Sequence, residues 1–241
     1  MDPREAVIRD RVSSAKRVLV FASSKGGVGK TLIACSTALA LSARGLRVGL
    51  LDLDVTNPTA HIVLGLDPKS VEVEEEKGVK PVIVKGVEFM SPIIFTRGEP
   101  SPLRGSEIHD AILELLAVTR WGQLDALIID APPGISDEIL DIVKYIPAAQ
   151  SIVVATPSPL SVDSVRRFIK FLRDEGAKVL GLVENMGRGS LEPLAKELEV
   201  RYLGFVPYDP ELDEALSRGR LEETEFFSRV REVAQRILST S

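Results

Sequence analysis

Along this chain short apolar runs alternate with longer stretches in which apolar residues recur every three or four positions. The short runs are RVLVFAS (17–23), RVGLLDLD (47–54), LDALIIDA (124–131), SIVVATP (151–157), KVLGLVEN (178–185) and RYLGFVP (201–207). Most are apolar nearly throughout, the pattern of strands covered on both faces. Between them the three-to-four period predicts helices over 31–44, 107–119, 137–145, 162–175, 191–198, 210–217 and 223–238. Gly45 and Gly176 stand where helix C-caps belong. Repeated strand–helix–strand units predict a three-layer, doubly wound α/β fold, a mostly parallel sheet with right-handed crossovers and helices on both faces. The stretch 67–90 breaks the rhythm and reads as a loop followed by a small hairpin, with the acidic run 74–76 as a solvated turn. One domain over 1–241 is expected, with 1–16 as an N-terminal arm and 67–90 as an insertion.

Composition narrows the function classes. With 241 residues, 44% apolar and 27% charged, the chain can bury one sizeable core. A net charge of −5 and a pI near 5.3 argue against a surface built to grip nucleic acid. No apolar run approaches the length of a membrane span, and the charged start MDPREAVIRDRV is not a secretory signal. The single cysteine, Cys35, excludes an internal disulfide and suits a reducing cytoplasm, where a small buried apolar role fits it best. Scarce Asn and Gln beside abundant Glu, Arg and Val suit a thermophilic source.

The chemistry concentrates in SSKGGVGKT (23–31), which closes an apolar strand and opens a helix. That context makes a phosphate loop credible. Glycines let consecutive N–H groups converge on a phosphate, and the helix start adds its positive end. Gly26, Gly27, Val28, Gly29, Lys30, Thr31 and Leu32 form the candidate loop, with Lys30 reaching the phosphates and the Thr31 hydroxyl placed for Mg²⁺. A dinucleotide G-x-G-x-x-G fails, because Leu32 falls where the third glycine belongs. Two further acidic segments follow, LLDLDVTNPT with Asp52 and Asp54, and IIDAPPGISDE with Asp130 and Gly134.

KGGVGKT resembles the deviant Walker A motif of the MinD/ParA/Mrp ATPases. In that family Ser24 need not be glycine and Lys25 is the signature. The resemblance implies an ATP-dependent face-to-face homodimer in which Lys25 reaches the phosphates of the other copy, as an arginine finger does. It implies that Asp54, 24 residues after Lys30, orients the attacking water, with Asp52 in the Mg²⁺ second shell. Of those two, Asp54 is expected to face the γ-phosphate. Asp130 matches the Walker B aspartate and would hold Mg²⁺ through water. Gly134, after two prolines, heads a switch over 135–138 that the γ-phosphate can order. Asn185, Pro207 and Asp209 are expected around the adenine, and Asp163 near the dimer interface. A guanine-specific N/T-K-x-D is absent, so ATP is expected over GTP.

The segments RGSEIHDAILELL, TPSPLSVDSVRRF, GLVENM and LGFVPYD resemble the Mrp (NBP-type) branch, over most of the chain outside 1–16 and 67–90. Iron–sulfur carriers of that branch place C-x-x-C after ENM, where this chain has ENMGRGSLEPL, so no iron–sulfur cluster is expected. The specific expectation is a slow ATPase switch in metallocofactor assembly, delivering nickel during [NiFe]-hydrogenase maturation with a small metal-binding partner. Alternatives are an iron–sulfur carrier ATPase, or a positioning ATPase on membrane or DNA. His61 and His109 are candidate nickel ligands. The apolar stripe of 223–238 is expected to dock on the sheet, not on lipid.

Overall fold

The computed structural model describes residues 2–99 and 103–240. All six expected strands are present: β1 (Val18–Ala22), β2 (Val48–Asp52), β5 (Ala126–Asp130), β6 (Gln150–Ala155), β7 (Lys178–Asn185) and β8 (Arg201–Val206). Two more, β3 (Val82–Val84) and β4 (Val87–Met90), complete one eight-stranded sheet in the order β3-β4-β2-β5-β1-β6-β7-β8. Every pairing is parallel except β3 with β4. Each residue of β1, β2 and β5 is buried, which is why these runs carry no alternation.

The described helices are α1 (Arg4–Val12), α2 (Lys30–Ser42), α3 (Ala60–Leu64), α4 (Pro92–Thr96), α5 (Ser106–Val118), α6 (Asp137–Tyr145), α7 (Pro159–Asp174), α8 (Glu192–Glu197), α9 (Leu212–Ser217) and α10 (Glu225–Leu238). Seven match the periodic segments. α7 starts three residues earlier than its apolar period, because Ser158 caps it by accepting the Ser161 N–H at 3.2 Å and Pro159 opens its first turn. The chain leaves α2 and α7 through Gly45 and Gly176, both at positive φ, as the C-cap reading requires.

Two expectations gain detail. The N-terminal arm carries a docked helix: α1 packs on α5, with Ile8 fully buried and Arg4 paired to Asp110 at 2.9 Å. One buried residue in nine leaves little periodic signal, so docking shows only in three dimensions. Within 67–90, the hairpin is the edge of the sheet itself. β4 runs in parallel register with β2, from Val48 against Val87 to Leu51 against Met90, and Phe89 and Met90 are fully buried. α3 and α4 are helices of five residues, too short for periodicity to reveal.

α2 and α10 pack together, while α1, α5 and α6 form a second group. The α10 stripe of Phe226, Phe227, Val230, Val233 and Ile237 is buried against β8 and α2, as expected for docking within the fold. Among the described residues no helix is long and apolar enough to cross a membrane. The order β2-β5-β1 sets three parallel strand ends side by side, and the loops after them are therefore neighbours.

Candidate functional site: a phosphate loop over paired carboxylates

β1 ends at Ala22 and α2 begins at Lys30, so 23–29 is the tight link between them. Gly27 and Gly29 sit at φ +77° and +79°, conformations that side chains disfavour. At Gly29 space forbids one as well, since a Cβ there would lie 2.2 Å from Asn185 Nδ2. No side chain caps the start of α2, which leaves its first N–H groups turned toward the loop.

Beneath the loop lies a charge cluster. Lys30 is buried, and its ammonium pairs with Asp130 Oδ1 at the end of β5. Asp52 ends β2 in direct register with Asp130, so the two fully buried carboxylates are neighbours on adjacent strands. Burial pushes the Asp52 carboxyl up to about 8, and the charge of Asp130 adds to that. Burial also raises Asp130, against the pull of Lys30. Asp52 Oδ1 accepts the Asp54 N–H at 3.1 Å, and its Oδ2 accepts from Ala60 N and the Ser91 hydroxyl, both at 3.3 Å. Asp130 Oδ2 is buried and has no partner.

One lysine thus faces two buried carboxylates, with one oxygen left over. The residues present fit a hard divalent cation, which prefers oxygen ligands and whose charge would draw the raised carboxyls back to their ionised form. Thr31 follows Lys30 at the start of α2, above the Asp130 that ends β5 and the Asp52 that ends β2.

Asp54 is separated from Asp52 by the end of β2, since residues two apart on a continuous strand would share a face. It lies half-buried in the following loop, where its Oδ1 accepts from Thr56 Oγ1 and Asn57 N, both at 3.0 Å. Lys25 is half-exposed, its carbonyl accepts from Ser23 Oγ at 3.0 Å, and among the described residues its ammonium forms no ion pair. Gly134, at φ +95°, donates its N–H to Ser23 O at 2.8 Å, tying the D-x-P-P-G turn to the phosphate loop. The following Ile135 is 53% exposed.

At the base end, Asn185 is buried and donates Nδ2 to Val28 O at 2.9 Å, while its Oδ1 has no partner. The amide expected to read adenine thus also holds the loop. Pro207 is half-buried just past β8. Asp209 lies half-buried in the loop after β8. Its Oδ1 accepts Glu211 N at 3.0 Å and its Oδ2 accepts Phe226 N at 3.3 Å, so both oxygens serve backbone amides of a turn and of α10. Asp163 forms an exposed pair with Arg167 along α7 at 2.8 Å.

The histidines do not converge. His109 Nδ1 is 2.6 Å from Asp141 Oδ2, a link between α5 and α6, whereas His61 lies on α3 with its Nδ1 buried and unpartnered. Among the described residues no three His, Cys, Asp or Glu side chains gather into a metal-holding group. Cys35 is fully buried in α2, and burial raises its thiol well above the usual range. Two contributors carried no sequence signal, the Ser91 hydroxyl on Asp52 and Glu184, which immediately precedes Asn185 at the end of β7. A lone serine 39 residues from its partner, or a glutamate in an apolar run, has no spacing to betray it.

Residues 14–239 match the family model described as ParA, NUBPL iron-transfer P-loop NTPase. The chain is 34% identical over 239 residues to the iron–sulfur cluster carrier protein of Synechocystis sp., covering 90% of this chain and 68% of that protein. Against the protein of the same description from Aquifex aeolicus it is 32% identical over 228 residues, 88% of this chain and 63% of that one. It thus spans about two thirds of these relatives' length. Among solved structures, a nucleotide-binding protein from Archaeoglobus fulgidus in complex with ADP superimposes with a TM-score of 0.77 at 28% identity, covering 92% of this chain and 95% of that one. The cell division ATPase MinD of Pyrococcus furiosus shares the fold, with a TM-score of 0.68 at 20% identity over 93% of this chain and 99% of that one.

Because Asp209 is committed to backbone amides, Asp209→Ala should lower unfolding stability by about 1 kcal/mol. Its ADP affinity should stay within about twofold of the parent's (about 0.4 kcal/mol). Denaturant melts and calorimetric titration with ADP check both outcomes.

Proposed function

This chain belongs to the NUBPL iron-transfer P-loop NTPase family and is an ATPase, and we propose that it is an Mg²⁺-dependent homodimeric switch in metallocofactor assembly, with iron–sulfur clusters as its cargo. One observation supports the nucleotide chemistry above others: a glycine-shaped loop at an open helix start, over a buried lysine and paired carboxylates with an unpartnered oxygen. The iron–sulfur reading draws on the family and on relatives carrying that description. A reducing cytoplasm suits it.

In this reading Lys30 leaves its pairing with Asp130 in part to meet the β- and γ-phosphates, and the N–H groups of 26–31 cradle them. Thr31, with Asp130 and Asp52 through water, would hold Mg²⁺, which would supply neutralisation of the phosphate charge. Asp54 orients the water, whose oxygen bonds to the γ-phosphorus as the bridge to the β-phosphate breaks, giving ADP and phosphate. Lys25 from a second copy stabilises the charge of that step. Gly134 exchanges the Ser23 carbonyl for a γ-phosphate oxygen and moves Ile135 and the start of α6, coupling nucleotide to the dimer face. Asn185 and Pro207 flank the base, the Asn185 Oδ1 being the free acceptor there.

The cargo is not held by this chain's own thiols. Cys35 is the one cysteine and lies buried inside α2, so the residues present do not form a bridging-cluster ligand set. Ligands then come from a partner, and ATP turnover gates its engagement. Nickel delivery with a small metal-binding maturation protein is the second reading, supported by the missing cysteine pair alone.

Asp54→Ala should retain ATP binding and lose at least about tenfold in turnover, since positioning of the nucleophile commonly supplies 10²-fold or more. A phosphate-release assay with an unchanged rate would overturn the assignment. Lys25→Ala should bind nucleotide as a monomer yet fail to dimerise with ATP, read by sedimentation in ATP against ADP. Anaerobic reconstitution of the chain alone with iron and sulfide should leave no stoichiometric cluster absorbance; one cluster per dimer would refute a partner-supplied ligand set.

A further inference from the structure

The turn after β7 is built around one carboxylate. Glu184 is fully buried, and its Oε1 accepts from Arg188 N at 2.9 Å, from Gly189 N and Ser190 N at 3.2 Å each, and from Ser190 Oγ at 3.0 Å. Its Oε2 accepts from Leu191 N and from the Tyr202 hydroxyl, each at 2.8 Å. Burial alone would raise its pKa. The hydrogen bonds from Leu191, Tyr202, Ser190 and Arg188 outweigh burial and hold it below the ordinary carboxylate value. This is a carboxylate kept ionised to fold a loop.

The loop closes tightly on it. A Cβ at Gly187 would lie 1.9 Å from Glu184 Oε1, so only glycine passes there. The Gly187 N–H also bonds Val206 O at 3.1 Å, stitching the turn to β8. Met186, directly before, is forced to φ +56°, which a side chain adopts only under constraint. Directly before that stands Asn185, whose Nδ2 grips Val28 O of the phosphate loop. A continuous path therefore runs from Glu184 through the reversed Met186 and Asn185 to the backbone of the loop that receives phosphates.

We infer that Glu184 is a positioning residue for nucleotide: by folding 186–191 under the end of β7 it fixes Asn185 against Val28, and so sets ATP affinity without touching ATP. This rests on the reading of 26–31 as the phosphate site. The neutral isostere is the sharp test, because a glutamine keeps the shape and places an NH₂ donor among N–H groups that need an acceptor.

Glu184→Gln should raise the KM for ATP about tenfold, a loss of about 1.4 kcal/mol of binding. Its kcat should stay within about twofold, because the water-positioning side of the site is on other strands. If Glu184 acts through Asn185, adding Glu184→Gln to Asn185→Ala should change KM by much less than it does in the parent. A purely structural role would instead lower melting temperature and kcat together and add in full in the double variant, which would overturn the inference. An unchanged KM in a folded Glu184→Gln protein would also overturn it. If the parent protein itself fails to bind ATP, the phosphate-site reading falls and not this link alone. Should Glu184→Gln fail to fold, Tyr202→Phe, which removes one of the six donors, should still raise KM measurably at unchanged kcat; no change there counts against the role.

Discussion

Two buried carboxylates facing one buried lysine set the terms for the rest of this molecule. Moving such groups out of water costs several kcal/mol each, and removing one partner of a buried pair typically costs about 3–5 kcal/mol. The fold accepts this at a single place, where β2 and β5 end side by side and α2 begins above them. Asp52 is satisfied by the Asp54 and Ala60 amides and the Ser91 hydroxyl, Lys30 by Asp130, and one oxygen of Asp130 by nothing. A site with two buried carboxyls and an open acceptor, beneath an uncapped helix start, is prepared for a cation and an anion together. A magnesium nucleotide is such a combination.

The same arrangement explains how the site can report on its contents. The Gly134 amide is satisfied by the Ser23 carbonyl, a neutral acceptor. A charged phosphate oxygen is a stronger one, so an exchange of partners is favourable only when a γ-phosphate is present. In the proposed switch, movement there would carry α6, which is linked to α5 through His109 and Asp141. On the opposite flank Asn185, at the end of β7, donates to the Val28 carbonyl of the phosphate loop.

Family and chemistry pull apart over the cargo. The chain belongs to an iron-transfer family, yet the segment after Asn185, where cysteine ligands would be expected, is a glycine-rich turn wrapped around a glutamate. Thiolates cannot be supplied by Cys35, sealed within α2. The turn instead stitches β7 to β8 through Gly187 and follows the Asn185 that holds Val28. Loss of ligands and retention of the hydrolytic set are compatible if this protein drives a partner that carries the metal.

The sequence by itself determined the parallel sheet, seven of the described helices, and the glycine loop that leads into Lys30 and Thr31. Each is written in short-range spacing: continuous apolar runs for strands buried on both faces and glycines where a loop turns back, whereas the roles read for Lys25, Asp52, Asp54 and Asp130 rest on the family resemblance. Only the tertiary structure decided that α1 docks through Ile8, that 82–90 is the sheet's edge, that Asp209 accepts from backbone amides, that Ser91 reaches Asp52 and that Asn185 holds the Val28 carbonyl. Those outcomes depend on which buried polar atom finds which partner across 39 or 157 residues of chain. Local periodicity records burial but not pairing, because the energy of a buried hydrogen bond depends on what stands opposite, and only the folded chain specifies that.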